Sequence, residues 1–292
     1  MCYYKKVDHE STCTLQTLSI IFTLYGGIIM KIKEIYIHGG IFHSDDVMCV
    51  ALARIANPQV KFQRVFKAPT EVEEGVIVAD IGGGKYDHHQ IDAEVRPNGE
   101  KYAACGLLLR DIWQDIFPTE SSYLAFERDF IIPIERQDNG LDKNPLSLAV
   151  SAFVPSWDSE ESMDEAFLMA VLFVEEIVRR QIDRAESEVR ATGLVTEALA
   201  EAGDENFVVL PKFAPWANVL TPSDKLFVIF PSNRGGVNLQ TIPVSADSRT
   251  AKQSLPESWL ETKPTGCSFV HTGRFLAAFD SVDDAIAAVR SM

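Results

Sequence analysis

The chain has 292 residues, 46% of them apolar and 24% charged, which supplies ordinary cores, leaves room for two domains and excludes a wholly disordered chain. Its formal net charge of −15 is the wrong sign for a surface that holds long nucleic acid by phosphate neutralisation alone, so either the substrate is small or a local basic groove and bound metals overcome the global field. Five cysteines, an odd number with no CxxC pair, speak against a disulfide framework or a Cys-type zinc site and point to a reducing compartment, the cytoplasm.

Residues 15–30, LQTLSIIFTLYGGIIM, form the most apolar run, but they are short for a membrane span and no cleavage-site pattern follows them. Met30 leads directly into KIKEIYIHGG, the opening strand of an α/β domain. Residues 1–29 therefore read as a non-native or disordered leader, and no membrane association is expected. Residues 33–38 (KEIYIH) read as a buried strand and 46–56 (DVMCVALARIA) as a helix capped by Ser44 or Asp45. Strands are predicted at 60–66 and 75–79, a helix over 103–117, and further helices within 119–136. This alternation predicts a mainly parallel sheet, with ligands bound beyond the carboxyl ends of its strands.

Residues 144–159 carry two prolines and no clear period, and read as a boundary. A long helix is predicted over about 161–191, where Phe167, Val171, Val174, Ile177 and Val178 fall at helical spacing as ordinary core. From about 205 the short strands FVVL, LFVIF, GVNLQTIPV, CSFVH and RFLAAF appear, and 281–291 reads as a closing helix. The organisation expected is an α/β domain over 30–155, a helical connector over 156–200 and a smaller α+β domain over 201–292.

Of the six histidines, four fall in two short clusters, each flanked by aspartates. The first is HGGIFHSDD, residues 38–46, placed where the opening strand ends, so that His38, His43 and Asp45 can converge. The second is VIVADIGGGKYDHHQ, residues 76–90, in which Asp80 ends an apolar strand, three glycines allow a tight turn, and Asp87, His88 and His89 follow. Mixed imidazole and carboxylate ligation suits Mn²⁺, Fe²⁺, Co²⁺ or Zn²⁺ better than Ca²⁺ or Mg²⁺. A carboxylate such as Asp80 can bridge two metals roughly 3.5–4 Å apart, the spacing of two-metal phosphoester hydrolysis. Taken singly, each piece has an ordinary reading. Asp45 and Asp46 would stabilise a helix N-terminus, and IGGG is a turn without the GK[ST] of a P-loop.

With the tripeptide Asp87-His88-His89, the strand-ending Asp80 and the histidine-rich first motif, the chain resembles the DHH phosphoesterase superfamily. The fuller pattern is similar to its melanocyte-proliferating-gene exonuclease branch, also described as metal-dependent protein hydrolases. The matching segments are HGGIFHSDD, VADIGGGKYDHHQ, YAACGLLLRDIW, ERQDNG, FAPW, LPESWL and GCSFVHTGRF, spread from about residue 33 to the C-terminus. The resemblance implies a DHH-type N-terminal domain and two divalent metal ions, Mn²⁺ first, with Mg²⁺, Co²⁺ or Zn²⁺ as alternatives. It implies metal ligation by His38, His43, Asp45, Asp80, His88 and Asp138, with Asp80 as the bridge. It also implies a phosphate contact from His89 and an orienting role for Asp87. Asp138 rests on the resemblance, since DNG by itself is a good turn. By position, Arg234, His271 and Arg274 in the C-terminal region would meet substrate phosphates.

The function implied is metal-dependent hydrolysis of phosphodiester bonds, by a 3′–5′ exonuclease acting on single-stranded RNA or DNA. Two other readings stand beside it. One is a small-molecule phosphoesterase acting on a short oligonucleotide, a cyclic dinucleotide or a phosphoanhydride. The other is a metal-binding regulatory protein without turnover.

Overall fold

The computed structural model describes residues 32–245 and 247–292, so the leader reading of residues 1–29 lies outside the described residues. Contacts group the chain into two compact units. One runs up to Glu120 and resumes over Glu127–Val178; the other is Ser121–Phe126 with Arg179–Met292.

The first unit is built on a three-stranded parallel sheet. β1 (Glu34–His38) lies between β2 (Lys61–Val65) and β3 (Val76–Val78). Alternation in β1 puts Ile35 and Ile37 fully inside, as a central strand requires. Parallel neighbours need a crossover, and α1 (Ser44–Ala56) supplies it between β1 and β2. The helix is buried continuously from Ser44 to Ala53, because α2 (Ala104–Ile112), α4 (Ile132–Asp138) and α5 (Pro145–Ser151) all pack against it. Between α2 and α4 the chain forms α3 (Glu120–Phe126) and a π-helical turn, Glu127–Ile131.

Three local expectations change. The N-cap of α1 is His43, not Ser44 or Asp45, and its backbone N–H donates to Asp46 Oδ2 at 3.0 Å. The helix predicted over 103–117 ends at Ile112 and tightens into a 3₁₀ turn, Trp113–Asp115. The segment 144–159, read as a boundary, contains α5, whose Asn144 Oδ1 accepts from Leu146 N at 2.9 Å and Ser147 N at 3.2 Å. Asn at the cap with Pro at the first helical position is a strong start signal, but a seven-residue helix is too short to display a period.

In the second unit a five-stranded mixed sheet runs β4 (Phe207–Val209), β5 (Phe227–Pro231), β6 (Val237–Thr241), β8 (Leu276–Phe279), β7 (Cys267–Val270). Only β4–β5 is parallel. The long helix α6 (Met163–Glu201) extends beyond the predicted 191. Its Ala191, Val195 and Ala198 pack with Val208, Val228 and Phe230, while Phe227, Ile229 and Leu239 face a second cluster with Ala285 and Val289 of α7 (Val282–Arg290). The alternation of Phe227 to Phe230 between two cores explains why these four residues are all apolar. The molecule is thus a mixed α/β protein with one parallel and one mixed sheet. Among the described residues, no helix is long and apolar enough to cross a membrane.

Candidate metal centre

The first motif emerges from the carboxyl end of β1, and Asp80 lies just beyond the carboxyl end of its parallel neighbour β3. The two strands thereby deliver ligand-bearing loops to the same edge of the sheet, where open α/β proteins bind ligands. Asp80 is 4% exposed and has φ of 56°, the left-handed region that a non-glycine residue seldom occupies. Its N–H donates to Tyr86 O at 2.8 Å, which closes the IGGG turn beneath it. Gly82 and Gly83 have φ of 90° and 69°, and a Cβ on Gly82 would come within 2.5 Å of Ala68 Cβ. The tight glycine turn thus holds the Asp80 carboxylate facing inward.

Asp80 lies between two imidazoles. Its Oδ2 is 3.1 Å from His38 Nε2 and its Oδ1 is 3.2 Å from His88 Nε2. His38 Nε2 also lies 2.6 Å from Asp46 Oδ2, while His88 Nε2 lies 3.2 Å from Asp138 Oδ2 and 3.5 Å from Asp45 Oδ2. The possible ligand atoms fall into overlapping groups, each within 4.8 Å: His38, His43 and Asp46; Asp45, His88 and Asp138; Asp80, His88 and His89; and the three carboxylates Asp45, Asp46 and Asp80.

His38, His43, Asp45, Asp80, His88 and Asp138, expected from the sequence, are therefore all brought together. Within these groups Asp46 accompanies His38 and His43, and Asp45 lies with His88 and Asp138. Successive helical residues diverge by about 100°, so the adjacent pair at the start of α1 serves two neighbouring points. The first-motif ligand set implied by the resemblance contains Asp45 and not Asp46, and the helix N-terminus reading applies equally to both. The better signal was the uninterrupted apolar run Val47–Ala53 that follows both aspartates in the same helix, which leaves them 1% and 0% exposed.

His89 stands at the rim, its side chain 65% exposed. Its Nδ1 is 2.7 Å from Asp87 Oδ1, which also accepts from the His89 N–H at 3.1 Å, while Asp87 Oδ2 accepts from Gly83 N at 2.7 Å. Asp87 thus ties the ring of His89 to the glycine turn. Glu135, on the same helix as Asp138, is anchored from below. It accepts from Ala103 N at 3.1 Å and from Arg96 Nε at 2.7 Å. A cavity of about 600 Å³ opens beside these residues, lined in part by His43, His88, His89 and Asp138.

The titration behaviour fits a cluster that lacks positive charge. Burial, reinforced by Asp80 and Asp138, pushes Asp45 well above the usual carboxylate range, and burial also raises Asp46. Burial would raise Asp80 as well, but His38 and His88 outweigh it and hold it at about 2. The hydrogen bonds to Asp46 and then Asp80 raise His38 to about 11. Both oxygens of Asp45, and Oδ1 of Asp46, are buried without a hydrogen-bond partner among the described residues. Buried carboxylate oxygens left in this state are strongly unfavourable, and a cation relieves them. The donor set and the orphaned oxygens therefore fit divalent metal ions.

The remaining residues named from sequence lie in the second unit. Arg234 is exposed in the β5–β6 turn. His271 and Arg274 share the β7–β8 turn, where His271 Nδ1 accepts from Gly273 N at 2.9 Å and Arg274 pairs with Glu257 at 3.6 Å. Val237 is in register with Phe279, and Gln240 with Leu276, so the two turns lie at opposite ends of the sheet. Arg234 thus does not join His271 and Arg274 in one cluster.

A parallel sheet with aspartates and histidines gathered at its carboxyl edge is the build of an α/β protein with a candidate metal centre. The family model MYG1_exonuc, described as "Uncharacterised protein family (UPF0160)", matches residues 34–292, and the chain belongs to this family. MYG1 protein YER156C of Saccharomyces cerevisiae is 26% identical, with 85% of this chain and 92% of that protein covered. MYG1 exonuclease of Homo sapiens is 25% identical, with coverage of 90% and 86%, and that of Mus musculus is 26% identical, with 90% and 85%. No solved structure matches the chain.

Proposed function

We propose that the chain is a metal-dependent phosphoesterase of the DHH type, acting as a 3′–5′ exonuclease on single-stranded RNA or DNA. The observation that carries this reading is the position of Asp80, whose two oxygens face separate imidazoles of two neighbouring ligand groups. Such a placement supports a carboxylate shared by two cations. The name exonuclease carried by several relatives supports the nuclease class.

His38, His43 and Asp46 would hold one cation, His88, Asp45 and Asp138 the other, and Asp80 both. Bound there, divalent ions supply Lewis-acid activation of water and of the phosphoryl oxygens near neutral pH. The chain's own contribution is orientation. The glycine turn fixes the Asp80 carboxylate, Asp87 fixes the His89 ring, and Glu135 fixes the helix that ends at Asp138. His89, with Nδ1 engaged by Asp87, keeps Nε2 available to a phosphate oxygen as charge develops there. The net charge of −15 favours a second reading, a small-molecule phosphoesterase acting on a dinucleotide or phosphoanhydride.

A panel of end-labelled single-stranded RNA and DNA, dinucleotides, cyclic dinucleotides and pyrophosphate, each with Mn²⁺, separates the two. Stepwise shortening from the 3′ end supports the exonuclease, and turnover restricted to dinucleotides or pyrophosphate supports the second reading. Inertness toward the whole panel refutes both.

A further inference from the structure

Among the described residues Lys101 is the one Lys or Arg that lines the cavity beside the candidate metal ligands; Lys61, Lys67 and Lys143 are also without an ion pair but do not line it. Arg96 is paired with Glu135 and Glu127, Arg110 with Glu94, Arg136 with Glu100, and Lys85 with Asp111. The Lys101 side chain is exposed on the wall of the 600 Å³ cavity that also contains His43, His88, His89 and Asp138. Its Nζ has no hydrogen-bond or ion-pair partner among the described residues. Its backbone, in contrast, is fixed. Lys101 bridges Val95, and its carbonyl accepts from Asn139 Nδ2 at 3.1 Å. Asn139 directly follows Asp138, so the clamp ties the lysine's position to a candidate metal ligand.

Ser147 and Ser151, one turn apart on α5, also line this cavity. Ser147 Oγ lies 2.7 Å from Ser44 Oγ at the start of α1, which ties α5 to the helix that carries Asp45 and Asp46. One part of the cavity wall thus carries the candidate metal ligands, and another presents an unpaired ammonium and the Ser147 hydroxyl, while the Ser151 hydroxyl donates to Leu148 O at 2.8 Å. A cavity of this size is within the range that encloses a small ligand. An ammonium beside a hydroxyl is an anion-recognition set.

We infer that Lys101, assisted by Ser147, forms a second phosphate subsite, which binds the phosphate next to the scissile one. This deepens the proposed function and rests on it. It makes substrates with at least two phosphates, such as single-stranded oligonucleotides, the preferred class over compounds with a lone phosphodiester. The local cation also supplies attraction for a phosphate that the overall charge of −15 does not.

The test compares Lys101→Met and Lys101→Arg with the wild-type full chain, loaded with Mn²⁺. Two substrates are used: a five-nucleotide single-stranded oligonucleotide and a dinucleoside monophosphate, which carries only the scissile group. A parallel arm measures equilibrium binding of a fluorescein-labelled phosphorothioate oligonucleotide as a function of salt. Lys101→Met is expected to raise KM for the oligonucleotide roughly 5- to 50-fold with little change in kcat, and to spare the dinucleoside monophosphate. It should lower the salt slope of binding by about 0.7, the value for one single-strand phosphate contact, and Lys101→Arg should retain most of the affinity. Equal behaviour of wild type and Lys101→Met, or an equal loss on both substrates, overturns the subsite while leaving the phosphoesterase reading intact. Lys101-dependent binding by a wild-type chain that cleaves neither substrate supports the subsite and overturns the exonuclease. A chain that neither cleaves nor binds overturns both.

Discussion

Gly106→Ala should destabilise the protein although it replaces glycine by alanine inside a helix. On helix propensity alone the change would stabilise by roughly 0.5–1 kcal/mol. At this position, however, the new Cβ would collide with the Glu135 carboxylate, coming 2.7 Å from its Cδ and 3.2 Å from Arg96 Nη2. Glu135 is 1% exposed and held by Ala103 N–H and Arg96, so it cannot swing into solvent. Overpacking of this kind costs about 1–3 kcal/mol, and a disrupted buried ion pair costs about 3–5 kcal/mol when it breaks outright. With partial relaxation and the propensity gain subtracted, a net loss of about 2–4 kcal/mol is expected. Urea unfolding at pH 8 of the wild type, Gly106→Ala, Glu135→Ala and the double variant measures it. The two losses should be non-additive by at least about 1 kcal/mol, because both act on the same carboxylate. A neutral or stabilised Gly106→Ala, or strict additivity, would refute the close approach of α2 and α4 on which Asp138 depends.

Three further outcomes follow from the same geometry. Burial outweighs Arg96 and raises Glu135 from 4.5 to about 7, so the folded state binds a proton that the unfolded state has released. This group's contribution is complete below pH 4.5, falls through pH 7 and totals of order 3 kcal/mol; Glu135→Gln should flatten the stability profile across that window in thermal melts. Asp45→Asn should raise the melting temperature of the metal-free chain near neutral pH, because it removes an acid whose ionised form is disfavoured by burial, Asp80 and Asp138 and which therefore costs stability above the ordinary carboxylate range, while Mn²⁺ should stabilise the variant less than the wild type; a lower metal-free melting temperature would contradict the orphaned-carboxylate account. Asp87→Asn should cut kcat/KM roughly 10- to 100-fold, the usual effect of losing an orienting partner, with near-native circular dichroism.

The carboxyl-edge location of the centre was legible because two strand ends carry His and Asp together, and a loop beyond a strand end can gather such side chains whatever the details of packing. His38, His43, Asp45, Asp80 and His88 follow from that rule, and Asp138 from resemblance alone. The division of labour between Asp45 and Asp46 was not legible, since it depends on how α1 is rotated against α2 and α4. Glu135 and Arg96 were missed for the same reason: 39 residues separate them, and nothing local marks either as buried. The cavity wall made by α5 went unseen because a seven-residue helix has no period to read, although Asn144-Pro145 announces its start. In the second unit the short apolar runs FVIF and FLAAF and the alternating GVNLQT revealed the strands, but only the register shows that Arg234 and Arg274 occupy opposite ends of the sheet.

The most direct measurement is metal content by mass spectrometry after loading with Mn²⁺ and gel filtration, for the wild type, Asp80→Asn and His88→Ala. Two equivalents per chain are predicted for the wild type, with clear losses in both variants and unchanged circular dichroism. A wild-type chain that retains no metal, or variants that retain as much as the wild type, would contradict a centre built around Asp80.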